Sequence, residues 1–205
     1  MPSSAHQYSK DSYREKELVG IVKEHEAVYE VLKAGVALGL SNWYVGAGCL
    51  TQSAWNKLHN YPIGQNILDI DFIFYDPDNM SRAYEEEVYE QLIDRLNKTP
   101  LDIDVVNQAR VHLWYEEQFG IKIEPYTSCE NAISTWPTTA SSLGVTLIDE
   151  KFSVYAPFGL QDLFNLVVRP NKMLIPQKVY EDKVFRWSSN WPKLKVVSWN
   201  ELDSL

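Results

Sequence analysis

The stretch "LDIDFIFYD", Leu68 to Asp76, decides how the chain is read. Ile70, Phe72, Ile73 and Phe74 mark it as a strand, yet Asp69 and Asp71 sit within it, one residue apart. Side chains alternate across a strand, so the two carboxylates share a face and repel unless something positive lies between them. A bound cation relieves that repulsion most simply. The apolar run from Phe72 onward implies burial on both faces, which places the aspartates at a rim of the sheet. Further along, "PLDIDVVNQ" repeats the arrangement with Asp102 and Asp104. For that second pair, a solvated sheet face is as good a reading as a metal site.

Upstream, "NWYVG" reads as a short strand running into the turn Gly46-Ala47-Gly48, and "CLTQSAWNKLHN" reads as the helix after it. Backbone N–H groups at a glycine turn and a helix N-terminus attract phosphate oxygens. Before the turn, apolar positions from Leu18 to Leu32 recur at helical spacing and predict one long helix from Glu15 to about Leu38, stopped by Gly39. Residues 1–14 have the composition of a disordered tail, and residues 15–205 read as a single domain with a helical extension at its C-terminus.

After the aspartate strand, Ser81 and an acidic first turn predict a helix to about Asn97. Helices follow through "ARVHLWYEEQF" and "CENAIST", then a hairpin in "GVTLIDEKFSVYAP" turning near Asp149 and Glu150, then helices through "LQDLFNLV" and "PQKVYEDKVFRWSSNW". Helices thus alternate with strands, an α/β pattern in which one helix joins the two acidic strands and allows their carboxylates to converge. Oxygen-only ligands make a hard site, suited to magnesium or manganese rather than zinc.

With 205 residues, 45% of them apolar, the chain is long enough for a substantial core. Its net charge of -9 offers no broad attraction for a polyanion, so long nucleic acid is not an expected partner. Cys49 and Cys129 have no zinc or disulfide spacing, and neither an apolar leader nor a membrane-length apolar run occurs. A soluble, cytoplasmic protein without membrane attachment is the expectation.

The order strand, Gly-Ala-Gly turn, helix, Asp-Ile-Asp strand, helix, third acidic strand resembles the nucleotidyltransferase superfamily that includes DNA polymerase beta. The strings "VGAGCLTQSAWNKLH", "DIDFIFYD", "VVNQARVHLW", "SCENAISTWPTTA" and "APFGLQDLFNLVVRPN" are similar to a branch known as predicted nucleotidyltransferases, from about Trp43 to Leu194. The resemblance implies a small mixed sheet flanked by helices. It also implies a reaction in which Asp69, Asp71 and a third carboxylate, Asp104 in preference to Asp102, bind two magnesium ions and act in catalysis. A nucleoside triphosphate would give up its nucleotidyl group to a hydroxyl of a small-molecule or protein acceptor. Gly46, Gly48 and Cys49 in the turn, with Arg110 and Arg169, are the candidate nucleotide contacts. Asn107, Gln108 and Arg110 have a capping role as their alternative, His112 a structural one, and Arg169 an ion pair with Asp162. Trp136, Trp187 and Trp191 read as core aromatics. Two other functions fit the same acidic strands: a catalytically silent nucleotide- or partner-binding module, and a magnesium-dependent phosphohydrolase.

Overall fold

The computed structural model describes residues 4–96 and 101–201. Five strands form a mixed sheet: β1 (Trp43–Gly46), β2 (Asp69–Phe74), β3 (Asp102–Asn107), β4 (Gly144–Ile148) and β5 (Lys151–Tyr155), in the spatial order β3-β2-β1-β4-β5. Only β2 and β3 run parallel, joined through a helix; the other neighbours are antiparallel. The helices are α1 (Ser4–Glu24), α2 (Glu26–Val36), α3 (Gly48–His59), α4 (Arg82–Ile93), α5 (Tyr115–Phe119), α6 (Cys129–Ile133), α7 (Gln161–Phe164) and α8 (Gln177–Asn190). A small parallel pair, β6 (Val167–Val168) and β7 (Lys195–Val196), frames α8. This is the mixed α/β architecture the sequence predicts. Among the described residues, no helix is long and apolar enough to cross a membrane.

The even positions of β2, Ile70, Phe72 and Phe74, are fully buried in the main core with Trp43, Val45 and residues of α1 to α4. The odd positions face the other way. Ile73 lies under Cys129 and Ile133 of α6, while Asp69 and Asp71, nearer the strand's start, are left beside a hollow. That half-covered face explains why the strand reads as buried on both sides after Asp71.

Four element assignments differ from expectation. The first helix begins at Ser4, inside the segment assigned to a disordered tail, and continues without a break into the apolar-periodic stretch that starts at Leu18. The predicted Glu15–Leu38 helix is two helices. His25 adopts extended backbone (φ -88, ψ 90), and its Nδ1 accepts the Val28 N–H at 3.4 Å as the cap of α2. The helix capped by Ser81, whose hydroxyl accepts the Tyr84 N–H at 3.1 Å, ends at Ile93; the expected end near Asn97 lies outside the described residues. The first part of "ARVHLWYEEQF" is a 3-10 turn, Gln108–Leu113, ahead of α5. The β4–β5 hairpin turns at Asp149 (φ 48) and Glu150 (φ 61), both left-handed as a tight two-residue hairpin turn requires.

Candidate active site

Parallel pairing sets Asp69 opposite Asp102 and Asp71 opposite Asp104, so all four carboxylates stand on one face of adjacent strands. Across the other ladder, Asp71 pairs with Gly46 of β1, which brings the turn before α3 alongside. The Gly48 N–H donates to the Asp71 carboxylate. Burial, then the charges of Asp69 and Asp104, push the Asp71 carboxyl up to about 7, against the pull of Lys183 and the Gly48 N–H. Burial, then Asp69 and Asp102, also raise the Asp104 carboxyl. These acids lie close enough to resist ionising together.

A cavity of about 480 Å³ opens over this rim. Ala47, Gly48, Gln52, Asp69 and Asp71 form one end, with Lys183 and Arg186 of α8 beside them; Trp114, Tyr115, Phe119 and Trp136 lie among the walls elsewhere. Asp102 and Asp104 open instead onto a second hollow, shared with Tyr89, Ile93 and Leu96.

The turn that meets Asp71 is strained. Ala47 has φ 52 and ψ -122, backbone that glycine adopts freely and alanine does not. Its surroundings hold it there: its N–H donates to the Leu143 carbonyl at 3.1 Å, and its own carbonyl accepts from both the N–H (3.2 Å) and the hydroxyl (2.9 Å) of Thr51. Such strain costs on the order of 1–3 kcal/mol, part of which glycine's greater freedom in the unfolded chain would cancel. Ala47→Gly is therefore expected to raise stability by about 1 kcal/mol in urea titration. A lower midpoint at unchanged m-value would show that the turn is relaxed.

The other predicted contacts are distributed unevenly. Gly48 lines the cavity; Gly46 does not, and the space above it is filled by Trp136, whose ring would stand 2.6 Å from an added Cβ. Cys49 is fully buried; its thiol donates to the Gly46 carbonyl at 3.3 Å, and burial pushes its pKa up, so it anchors the turn from within. Arg110 lies outside the cavity wall, donating from Nε to the Met80 carbonyl at 2.9 Å and pairing through Nη1 with Glu85. Arg169 likewise pairs with Asp162 at 3.1 Å, the alternative its sequence position allowed. Asn107 is a cap: fully buried, it bonds the backbone of Asp76, Asn79 and Ala109. Trp187 and Trp191 are core residues, packed on Trp55, and Trp187 also reaches the cavity wall; Trp136 is half-buried and lines the cavity.

Lys183 and Arg186 escaped the sequence reading. Their signal was present: Val179, Lys183, Arg186 and Trp187 share a helical face, so two cations interrupt an apolar stripe. Burial, then Arg186, lowers the Lys183 pKa, while Asp71 and Asp69 oppose the shift.

The donor set suits a hard cation, since the side chains at that end, Asp69, Asp71 and Gln52, offer oxygen and neither imidazole nor thiolate. Among the described residues, no three His, Cys, Asp or Glu side chains converge as a ready-made cage. Magnesium does not require one: it commonly takes one or two carboxylates and completes its shell with water and phosphate oxygens. Asp69 and Asp71 fit that use.

A family model described as "Nucleotidyltransferase" matches residues 34–196. The chain is also similar to a structure determined by NMR and described as a CCA-adding enzyme head domain. The two are 25% identical with a TM-score of 0.70, over 89% of this chain and 95% of the other. No curated protein matches the chain.

Proposed function

The chain belongs to the nucleotidyltransferase family, and from that premise we propose that it transfers a nucleotidyl group from a nucleoside triphosphate to a hydroxyl of a small-molecule or protein acceptor. One observation carries the reading: Asp69 and Asp71 share one cavity with Gly48, whose N–H is already bonded to the Asp71 carboxylate. The net charge of -9 and a cavity of about 480 Å³ favour a compact acceptor over long nucleic acid.

In this reading Asp69 and Asp71 hold magnesium or manganese, which when bound supplies Lewis-acid polarisation of the phosphoryl oxygens and a template for the triphosphate. Asp104 opens onto the neighbouring hollow but stands opposite Asp71 on the adjoining strand, close enough for their charges to interact, and from that position orients the acceptor hydroxyl and takes its proton. The acceptor oxygen bonds to the α-phosphorus as the bond to the bridging oxygen breaks, and the electron pair leaves with pyrophosphate. The aromatic walls offer faces on which a nucleobase can stack.

The test is incubation of the protein with each α-labelled nucleoside triphosphate, magnesium or manganese, and a cell extract. Label is expected on a discrete acceptor, with pyrophosphate released in equal amount. Release of α-phosphate or nucleoside monophosphate without labelled acceptor would replace the reading with hydrolysis, and no metal-dependent turnover of any nucleotide would end it.

A further inference from the structure

Lys183 and Arg186 stand on the cavity wall beside two aspartates without forming an ion pair with any described residue. The exposed Lys178, on the same helix, does pair, with Asp182 at 2.9 Å. Lys183 is half-buried, with its ammonium 5.6 Å from the centre of the Trp187 ring. Withdrawing an ammonium from water without a direct ion pair is unfavourable, and the ring and the nearby charges of Asp71 and Asp69 recover only part of that. On the aspartate side the charges are also unbalanced, because Asp69, Asp71 and Asp104 repel one another. The cavity end therefore carries acids on one element and cations on another, within each other's field but joined by no ion pair, with Lys183 half-buried and Arg186 exposed.

A ligand that satisfies both is itself divided, with a divalent cation toward the acids and a chain of phosphates toward the bases. A lone metal ion would leave Lys183 and Arg186 unmatched, and a cationic metabolite would meet them as repulsion. We infer that Lys183 and Arg186 bind the two terminal phosphates of the nucleoside triphosphate, making α8 the phosphate-holding element of the site. The inference rests on the transferase reading for its substrate. As the bond from the α-phosphorus to the bridging oxygen breaks, the two cations face the negative charge that passes to pyrophosphate.

Inorganic tripolyphosphate with magnesium isolates this contact from nucleobase and acceptor. In calorimetric titration of the full chain, Lys183→Met and Arg186→Gln are each expected to weaken its binding at least tenfold. Lys183→Arg, which keeps the charge, should stay within about threefold of the wild type. Lys178→Met removes the same charge from the exposed face of α8 and should change nothing. Wild-type affinity in Lys183→Met, or equal weakening in Lys178→Met, would overturn the inference, the second by reducing it to overall charge. So would a wild type that does not bind tripolyphosphate at all. Failure of the two readings can be told apart. A protein that binds tripolyphosphate through Lys183 but labels no acceptor keeps the phosphate site and loses the transferase, whereas one that labels an acceptor while Lys183→Met binds normally loses only the inference.

Discussion

Asp71→Asn is expected to melt higher than the wild type at pH 8 without metal, and to lose transferase activity by at least about a hundredfold. Asparagine keeps the shape and can still accept the Gly48 N–H, but it removes the charge that burial, Asp69 and Asp104 disfavour. An aspartate whose folded pKa is about 7 retains a proton in the native state that the unfolded chain, titrating near 3.8, has already released. Wild-type stability contributed by this group therefore falls as pH rises from about 4 to about 7 and stays low above it. The penalty is on the order of 1–4 kcal/mol. The difference in melting temperature between mutant and wild type should grow across that window and then level, while effects of groups common to both cancel. With magnesium and a nucleoside triphosphate near one hundred times its Kd, the wild type should gain about 2.7 kcal/mol and the mutant little of it. A metal-free mutant that melts lower at pH 8 and keeps the full ligand response would remove Asp71 from the metal-binding role.

How far the sequence discloses this site follows the range of the physics involved. A period of two fixes which face a strand residue takes, so "LDIDFIFYD" and "LDIDVVN" disclose their shared face without any tertiary information. Pairing β2 with β3 needed only the helix between them. Competition for a side chain is not local. Arg110 and Arg169 have the chemistry of phosphate ligands, but Glu85 and Asp162 occupy them, and no spacing in the sequence announces those partners. Gly46 reads as a glycine that admits phosphate, whereas the space it leaves is occupied by Trp136, which lies far along the chain. Lys183 and Arg186 were hidden for the same reason: the helix pattern shows two cations in an apolar stripe but not which cavity that stripe closes. His25 hid a helix break because it sits inside a continuous apolar periodicity and caps with a side chain seldom used that way.

Trp55→Ala is expected to have the opposite profile to Asp71→Asn, destabilising the metal-free protein by about 3–5 kcal/mol while leaving every candidate catalytic group in place. Trp55 is fully buried in α3; its ring lies 5.2 Å from that of Trp187, edge-on, and 5.5 Å from that of Trp191. Its indole N–H has no hydrogen-bond partner, so truncation removes packing and strands no buried polar group that had been satisfied. Polar contacts still tie α3 to the segment at the end of α8: Trp191 Nε1 donates to Asn56 Oδ1 at 2.7 Å, and the Lys193 N–H donates to His59 Nε2 at 3.1 Å. These bonds hold the end of α8 in place while the cavity left by Trp55 loosens the turn above it, where Lys183 and Arg186 sit. The folded mutant should therefore bind magnesium tripolyphosphate several-fold more weakly, by imprecise placement of the two cations rather than by loss of charge. Denaturant titration gives the first quantity and calorimetry, run below the mutant's transition, the second. A loss under about 1 kcal/mol would mean that the neighbouring indoles collapse into the gap, in which case phosphate affinity should remain that of the wild type. A full stability loss with unchanged affinity would show that α8 is positioned by Trp191 and Asn56 alone.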